Sequence, residues 1–204
     1  MYTKASIFNL ALGALLLQRQ IENPETDRSN ECKVLLNHYD TAFRSALQDM
    51  DLDSTSSQVT AELVEQDPND LWLYSYKYPS DCVFLRRIQS LAETDNRTTH
   101  IPKRVTVKDG QKVVYTNQSE AIFEYISKDV PLSSLSASAG LAIAYRLALL
   151  SAPLVTGKGA KTLMEQIKDK YVVAKAEAQE TDRLENFNFV DPSVESEFVE
   201  ARTS

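Results

Sequence analysis

Between residues 32 and 50 the apolar side chains fall at Cys32, Leu35, Leu36, Tyr39, Phe43, Ala46, Leu47 and Met50. Steps of three and four place them on one stripe of an α-helix, which must be buried against other elements. The spacing predicts a helix that begins near Thr26 or Asp27 and ends before the polar stretch 51–57. Around it, residues 6–21 read as an N-terminal helix apolar on more than one face, broken by Asn23-Pro24. Residues 135–150 are rich in Ala and Leu and predict a third helix, stopped by Pro153 and the Gly157/Gly159 turn. Residues 160–180 predict a fourth, with Leu163, Ile167, Tyr171, Ala174 and Ala178 on its buried stripe.

The middle of the chain has the period of strands. Val59, Ala61 and Leu63 alternate. Trp72, Tyr74 and Tyr76 recur at every second position, which puts them on one face of an extended segment that Pro79 ends. Residues 82–91 read as a strand, with a polar turn at 93–99. Asp109-Gly110 between two alternating segments predicts a tight hairpin, because both turn positions need positive φ. Residues 121–127 read as a last strand, with a helix as the competing assignment. The expected architecture is therefore mainly α: a four-helix body (5–50 and 133–182) with a small antiparallel β-element, built on the hairpin, inserted between helices 2 and 3 (57–128).

The charge is unevenly spread. Of 29 acidic and 22 basic residues, eight acids but only Arg183 and Arg202 lie in residues 177–204. The remainder, with 21 acids and 20 bases, is near neutral. Without clustered Lys and Arg, non-specific nucleic-acid binding is not expected. Two cysteines cannot build a disulfide framework and fit a reducing compartment. Lys4 ahead of the apolar run 7–17 imitates a signal peptide, but Asn9 interrupts it and Gln18-Arg19-Gln20 follows, so a buried helix is expected. No apolar run reads as long enough to span a bilayer.

Chemistry is sparse. Cys32, Cys82, His38 and His100 are the only soft ligands, without the close spacing of a zinc site, so no metal is expected. In Gly157-Lys-Gly-Ala-Lys161-Thr162 the intervening Ala160 and the preceding helix depart from a phosphate-binding loop. No Ser lies in a nucleophile elbow, and Asp49, Asp51 and Asp53 read as a solvated turn. The expectation is a non-enzyme without cofactor. The tail differs: Phe187, Phe189, Val190, Val194 and Phe198 stand among acids, a composition suited to docking on a partner. Residues 183–204 are thus expected to be an acidic C-terminal arm, disordered or extended in isolation.

One block carries a family resemblance. Trp72-x-Tyr74-x-Tyr76-x-x-Pro79-x-Asp81-Cys82, followed by Arg86, Arg87 and Ile88, is similar to the block of the tail tubular protein A group of head–tail adaptors from tailed bacteriophages. Leu36-Asn-His-Tyr-Asp40, Tyr115-Thr-Asn117 and Tyr125-Ile126 resemble further segments of that family in the same order. The segments at 51–54 and 132–135 lack the family's usual aromatics. The resemblance, over residues 5–182, implies an adaptor domain in a homo-oligomeric ring of about twelve subunits, whose contacts are heterologous. It implies docking on the phage portal protein, a downstream tail or nozzle protein beneath, and double-stranded DNA passing through without specific binding. It places the chain in the virion neck after synthesis in the host cytoplasm, with Phe187-Asn-Phe189-Val190 resembling the portal-gripping arm. The alternative is a helical interaction module with an acidic docking tail.

Overall fold

In the computed structural model, which describes residues 2–90, 100–156 and 160–186, the chain is not a mainly α protein with one small hairpin. About 48% of the described residues are helical and 27% are in strands, which form two antiparallel sheets beside four helices. The helices are α1 (Lys4–Ala14), α2 (Asn30–Met50), α3 (Ala137–Val155) and α4 (Ala160–Glu185). The strands are β1 (Ser56–Thr60), β2 (Leu63–Asn69), β3 (Trp72–Lys77), β4 (Cys82–Ser90), β5 (Lys103–Lys108), β6 (Gln111–Thr116) and β7 (Ala121–Ser127). One sheet has the order β1-β7-β4 and the other β2-β3-β6-β5. The expected small β-element undercounts them because its breaks are corners: the chain changes sheets at 61–62 and again at 78–81. Asp67-Pro68 sits inside β2 as a bulge on an edge strand, a setting in which a proline is tolerated in a sheet.

Several boundaries differ from expectation for local reasons. α1 is capped by a reciprocal Thr3–Ser6 box and stops at Ala14, well before residue 21. Leu17 N–H donates to Leu12 O and Leu16 N–H to Gly13 O, a left-handed helix stop in which Leu16 takes φ 60°. Glycine normally fills that position, and the Leu16 side chain is 76% exposed. Leu16→Gly is therefore expected to raise stability by about 1 kcal/mol, read as a higher urea midpoint at unchanged slope. Asn9, which interrupts the apolar run, holds the returning loop with both ends of its amide: Ile21 N–H donates to Oδ1 at 2.8 Å and Nδ2 donates to Ile21 O at 3.0 Å. α2 starts only at Asn30, because Ser29 is its N-cap and Asp27 is engaged in accepting from Ser29 N–H. Pro153 does not end α3, which runs on to Val155. α3 is also long and apolar enough by composition to cross a membrane, contrary to expectation. Here it is the central helix of the body, with Ala139, Ala142, Ile143, Leu147 and Ala148 fully buried among the other helices.

Two apolar cores result. The helical core gathers Phe8, Leu12, Leu35, Leu47, Ile143 and Ile167 with their neighbours. The second lies between the sheets and contains Tyr76, Leu85, Ile88, Val114, Phe123 and Tyr125. β7 serves both: Ala121, Phe123 and Tyr125 face the sheet core, while Ile126, on the alternate face, joins the helical one. β4 carries two bulges against β7, at the steps Cys82/Phe84 and Leu85/Arg87. The extra residues, Val83 and Arg86, are the ones that reach the helical body, Val83 by packing and Arg86 by ion pairs, as bulges that re-aim side chains do.

Candidate functional site

The Trp72–Cys82 block forms β3 and the turn into β4. Alternation places Trp72, Tyr74 and Tyr76 on one face, as the spacing predicts, and the face is internal. Tyr74 and Tyr76 stack at 6.1 Å, and Tyr76 meets Phe123 of the other sheet edge-on at 6.0 Å. The Tyr76 hydroxyl donates to Gln118 O at 3.0 Å. Trp72 is half-buried. These side chains hold the two sheets together through apolar area and ring geometry.

The turn after β3 is fastened from three sides. Asp81 accepts from the Tyr125 hydroxyl at 3.0 Å and from Ser127 Oγ at 2.7 Å, while Lys128 N–H donates to Asp81 O at 2.8 Å. Cys82 N–H donates to Pro79 O, closing the turn. Cys82 Sγ donates to the Tyr78 hydroxyl at 3.0 Å, and Lys112 Nζ stands 3.7 Å from the centre of the Tyr78 ring. Beside the turn opens a groove of about 330 Å³, lined by Val59, Thr60, Glu62, Tyr78, Phe123 and Tyr125 among others.

The electrostatics of this site suit architecture, not covalent chemistry. Burial pushes the Cys82 thiol up to about 11, so at neutral pH it is protonated and a poor nucleophile. Burial, together with the Asp81 carboxylate, pushes the Tyr125 phenol up to about 12. For Asp81, burial acts to raise the value, but the Ser127 and Tyr125 hydroxyls outweigh it and hold the carboxyl below its ordinary range. A carboxylate held low favours the folded state above about pH 4, and that contribution disappears as pH falls through the folded value. Asp81→Asn is expected to cost about 1–2 kcal/mol at pH 7 and to flatten the acid side of the stability–pH profile, measured by urea unfolding between pH 7 and 3. An unchanged acid limb would show that Asp81 contributes nothing to it.

A second cluster, which the sequence did not reveal, joins body and insert. Arg86 Nε donates to Asp51 Oδ1 at 2.6 Å, Nη2 to Asp51 O at 2.7 Å, and Nη1 to Asp53. Glu124, 6% exposed, receives Arg87 Nε at 2.8 Å and Gln89 Nε2 at 2.7 Å, and lies 3.6 Å from Arg86 Nη1. Asp49 accepts from the Tyr171 hydroxyl at 2.8 Å. Asp49, Asp51 and Asp53 are exposed, as expected of solvated acids, but each also has a distant partner. Their partners lie more than thirty residues away, beyond the reach of any local pattern.

α4 continues to Glu185 and thus through the expected arm boundary at 182/183. Asp182, 8% exposed, accepts from Asp53 N–H at 2.7 Å and Ser54 N–H at 2.9 Å, which ties the end of α4 to the turn before β1. Phe187, Phe189, Val190, Val194 and Phe198 lie outside the described residues, as do the polar turn 93–99 and Gly157-Lys-Gly159. Among the described residues no group of three or more His, Cys, Asp or Glu side chains is arranged to hold a metal ion. His38 is on α2, and His100 precedes β5. No protein-family model matches the chain, and no curated protein matches it.

Proposed function

We propose that the chain is a head–tail adaptor of a tailed bacteriophage, a subunit of a ring of about twelve copies that seats on the portal and carries the next tail component. The observation that carries this reading is the Trp72–Cys82 block, whose tyrosines pack between the two sheets and whose Pro79 and Asp81 fasten the turn after β3. A two-part subunit also suits a ring. Heterologous contacts need two unlike surfaces on each copy, and the body and the insert differ in their outer chemistry. α4 leaves Val172 and Val173 56% exposed, whereas the insert presents Val107 with Lys112 as its cross-strand partner. The near-neutral charge of residues 1–176 would let copies pack without strong mutual repulsion and let DNA pass without sticking. The arm, with Phe187, Phe189, Val190, Val194 and Phe198, is the portal-gripping element in this reading.

Light-scattering mass of the full chain, alone and with the portal of the same phage, tests it. A ring, or a portal complex with one adaptor per portal subunit, supports the reading; a monomer indifferent to the portal leaves the interaction module in its place. Because Asp182 anchors α4, an arm deletion must begin after Asn186. That deletion is expected to weaken portal binding at least ~100-fold, equivalent to about 2.7 kcal/mol, with an unchanged helical circular dichroism signal. Unaltered affinity would remove the arm from the interface.

A further inference from the structure

We propose that the two edges of the four-stranded sheet are complementary surfaces for a second copy of this chain: the β2 edge of one copy meets the β5 edge of the next, head to tail. The first observation is the segregation of charge in the insert. Residues 62–70, which hold β2 and its turn into β3, contain Glu62, Glu65, Asp67 and Asp70 and no base. Residues 103–112, which hold β5 and its turn into β6, contain Lys103, Arg104, Lys108 and Lys112 against Asp109 alone. Among the described residues β2 and β5 are the outer strands of one sheet, in the order β2-β3-β6-β5. The sheet therefore has an acidic rim and a basic rim. Opposite charge steers two surfaces together and fixes their register.

The second observation is the cross-strand register. Leu63 pairs with Tyr76, Tyr76 with Val114, and Val114 with Val105, which makes one row of apolar side chains across all four strands. Tyr76 and Val114, in its middle, are buried, whereas Leu63 and Val105, at its ends, are exposed. The next row runs Glu65, Ser75, Tyr115, Arg104, and so ends in an acid on one rim and a base on the other. Each neighbouring pair of strands is antiparallel, so β2 and β5 run in opposite directions. A second copy shifted across the sheet brings its Val105 to Leu63 and its Arg104 to Glu65, an apolar and an opposite-charge pair side by side. The contact is one of side chains, because the bulges of β2 exclude a regular main-chain ladder there.

Charges on an edge strand also guard it against unwanted pairing. A guard does not account for opposite signs on the two rims, nor for the exposed apolar side chains beside them, Leu63 and Val64 on β2 and Val105 and Val107 on β5. Two pairs within the copy use part of the charge, Lys108 with Glu65 and Lys77 with Glu62. Asp67, Asp70 and Arg104 stay exposed. Like rims repel, so β2 does not meet β2 nor β5 meet β5, and the contact is heterologous. The inference rests on the adaptor reading for its role in a ring, and deepens it by naming where neighbouring subunits touch.

The test uses the full chain with Cys82→Ser, which leaves the buried Cys32 as its one native thiol. Leu63→Cys and Val105→Cys are made separately in that chain, both at exposed positions. Mixed under mild oxidation, the two are expected to form 63–105 cross-links between chains at least ~10-fold faster than either variant cross-links with itself. In the otherwise unsubstituted chain, Arg104→Glu is expected to weaken self-association at least ~10-fold at low salt, read by sedimentation velocity, with an unchanged circular dichroism signal. A mixture no faster than the separate variants, or association unmoved by Arg104→Glu, would each overturn the proposal. Portal binding is read separately by light scattering. Cross-linking in a chain that ignores the portal would uphold the contact and reject the adaptor reading, and portal binding without the cross-link would do the reverse.

Discussion

Phe123→Ala is expected to lower the unfolding free energy by about 3–5 kcal/mol, the largest loss for a single apolar truncation in the insert. Phe123 is fully buried on the central strand of its sheet. It is met edge-on by Tyr76 and shares its cluster with Leu85, Ile88 and Val114. Removing the ring leaves a cavity that opens to the groove beside β1, and the surrounding strands cannot collapse into it without losing register. Two probes separate insert from body. Trp72, the one tryptophan, is in β3, whereas far-ultraviolet circular dichroism is dominated by the four helices. Urea unfolding of Phe123→Ala should move both transitions together if β7, which serves both cores, couples them. A fluorescence transition that separates from the helical one would show the insert melting alone. A loss below about 1 kcal/mol would contradict the tight packing on which this argument stands.

Arg86→Met is expected to cost about 2–4 kcal/mol. The guanidinium is 15% exposed and forks to Asp51 and Asp53, with Glu124 3.6 Å away. Asp51 and Asp53 are 45% and 58% exposed, so water screens much of what they lose. The larger penalty comes from Glu124, whose side chain is 8% exposed and would keep Arg87 as its one cationic partner among the described residues. Arg86→Lys should recover less than half of the loss, because a single ammonium cannot make the forked bonds to Asp51 Oδ1, Asp51 O and Asp53 together. Full recovery by lysine, in the same urea experiment, would mean that charge alone matters at this junction.

Arg86 joins the two halves. It is the extra residue of a β4 bulge, and it grips the left-handed cap of α2 at Asp51, where φ is 49°.

The elements that local period could specify were legible. The stripe from Cys32 to Met50 is α2, and the stripe Leu163–Ile167–Tyr171–Ala174–Ala178 is buried as its spacing requires. The Trp72 alternation and the Asp109-Gly110 turn, with φ of 50° and 77°, are equally local, and the structure has both. Each rests on side chains or dihedrals within a few residues of one another, where sequence neighbours are spatial neighbours. Only the tertiary structure decided the rest. Whether a few strands make one hairpin or two sheets depends on pairings such as Ser57 with Tyr125, and a pairing register leaves no trace in local period. Asp51, Asp53 and Asp182 look like ordinary surface acids until folding brings Arg86 and two backbone N–H groups to them. Burial removes water from Asp182, while Asp51 and Asp53 keep much of theirs, and the partners of all three come from segments far apart in the chain.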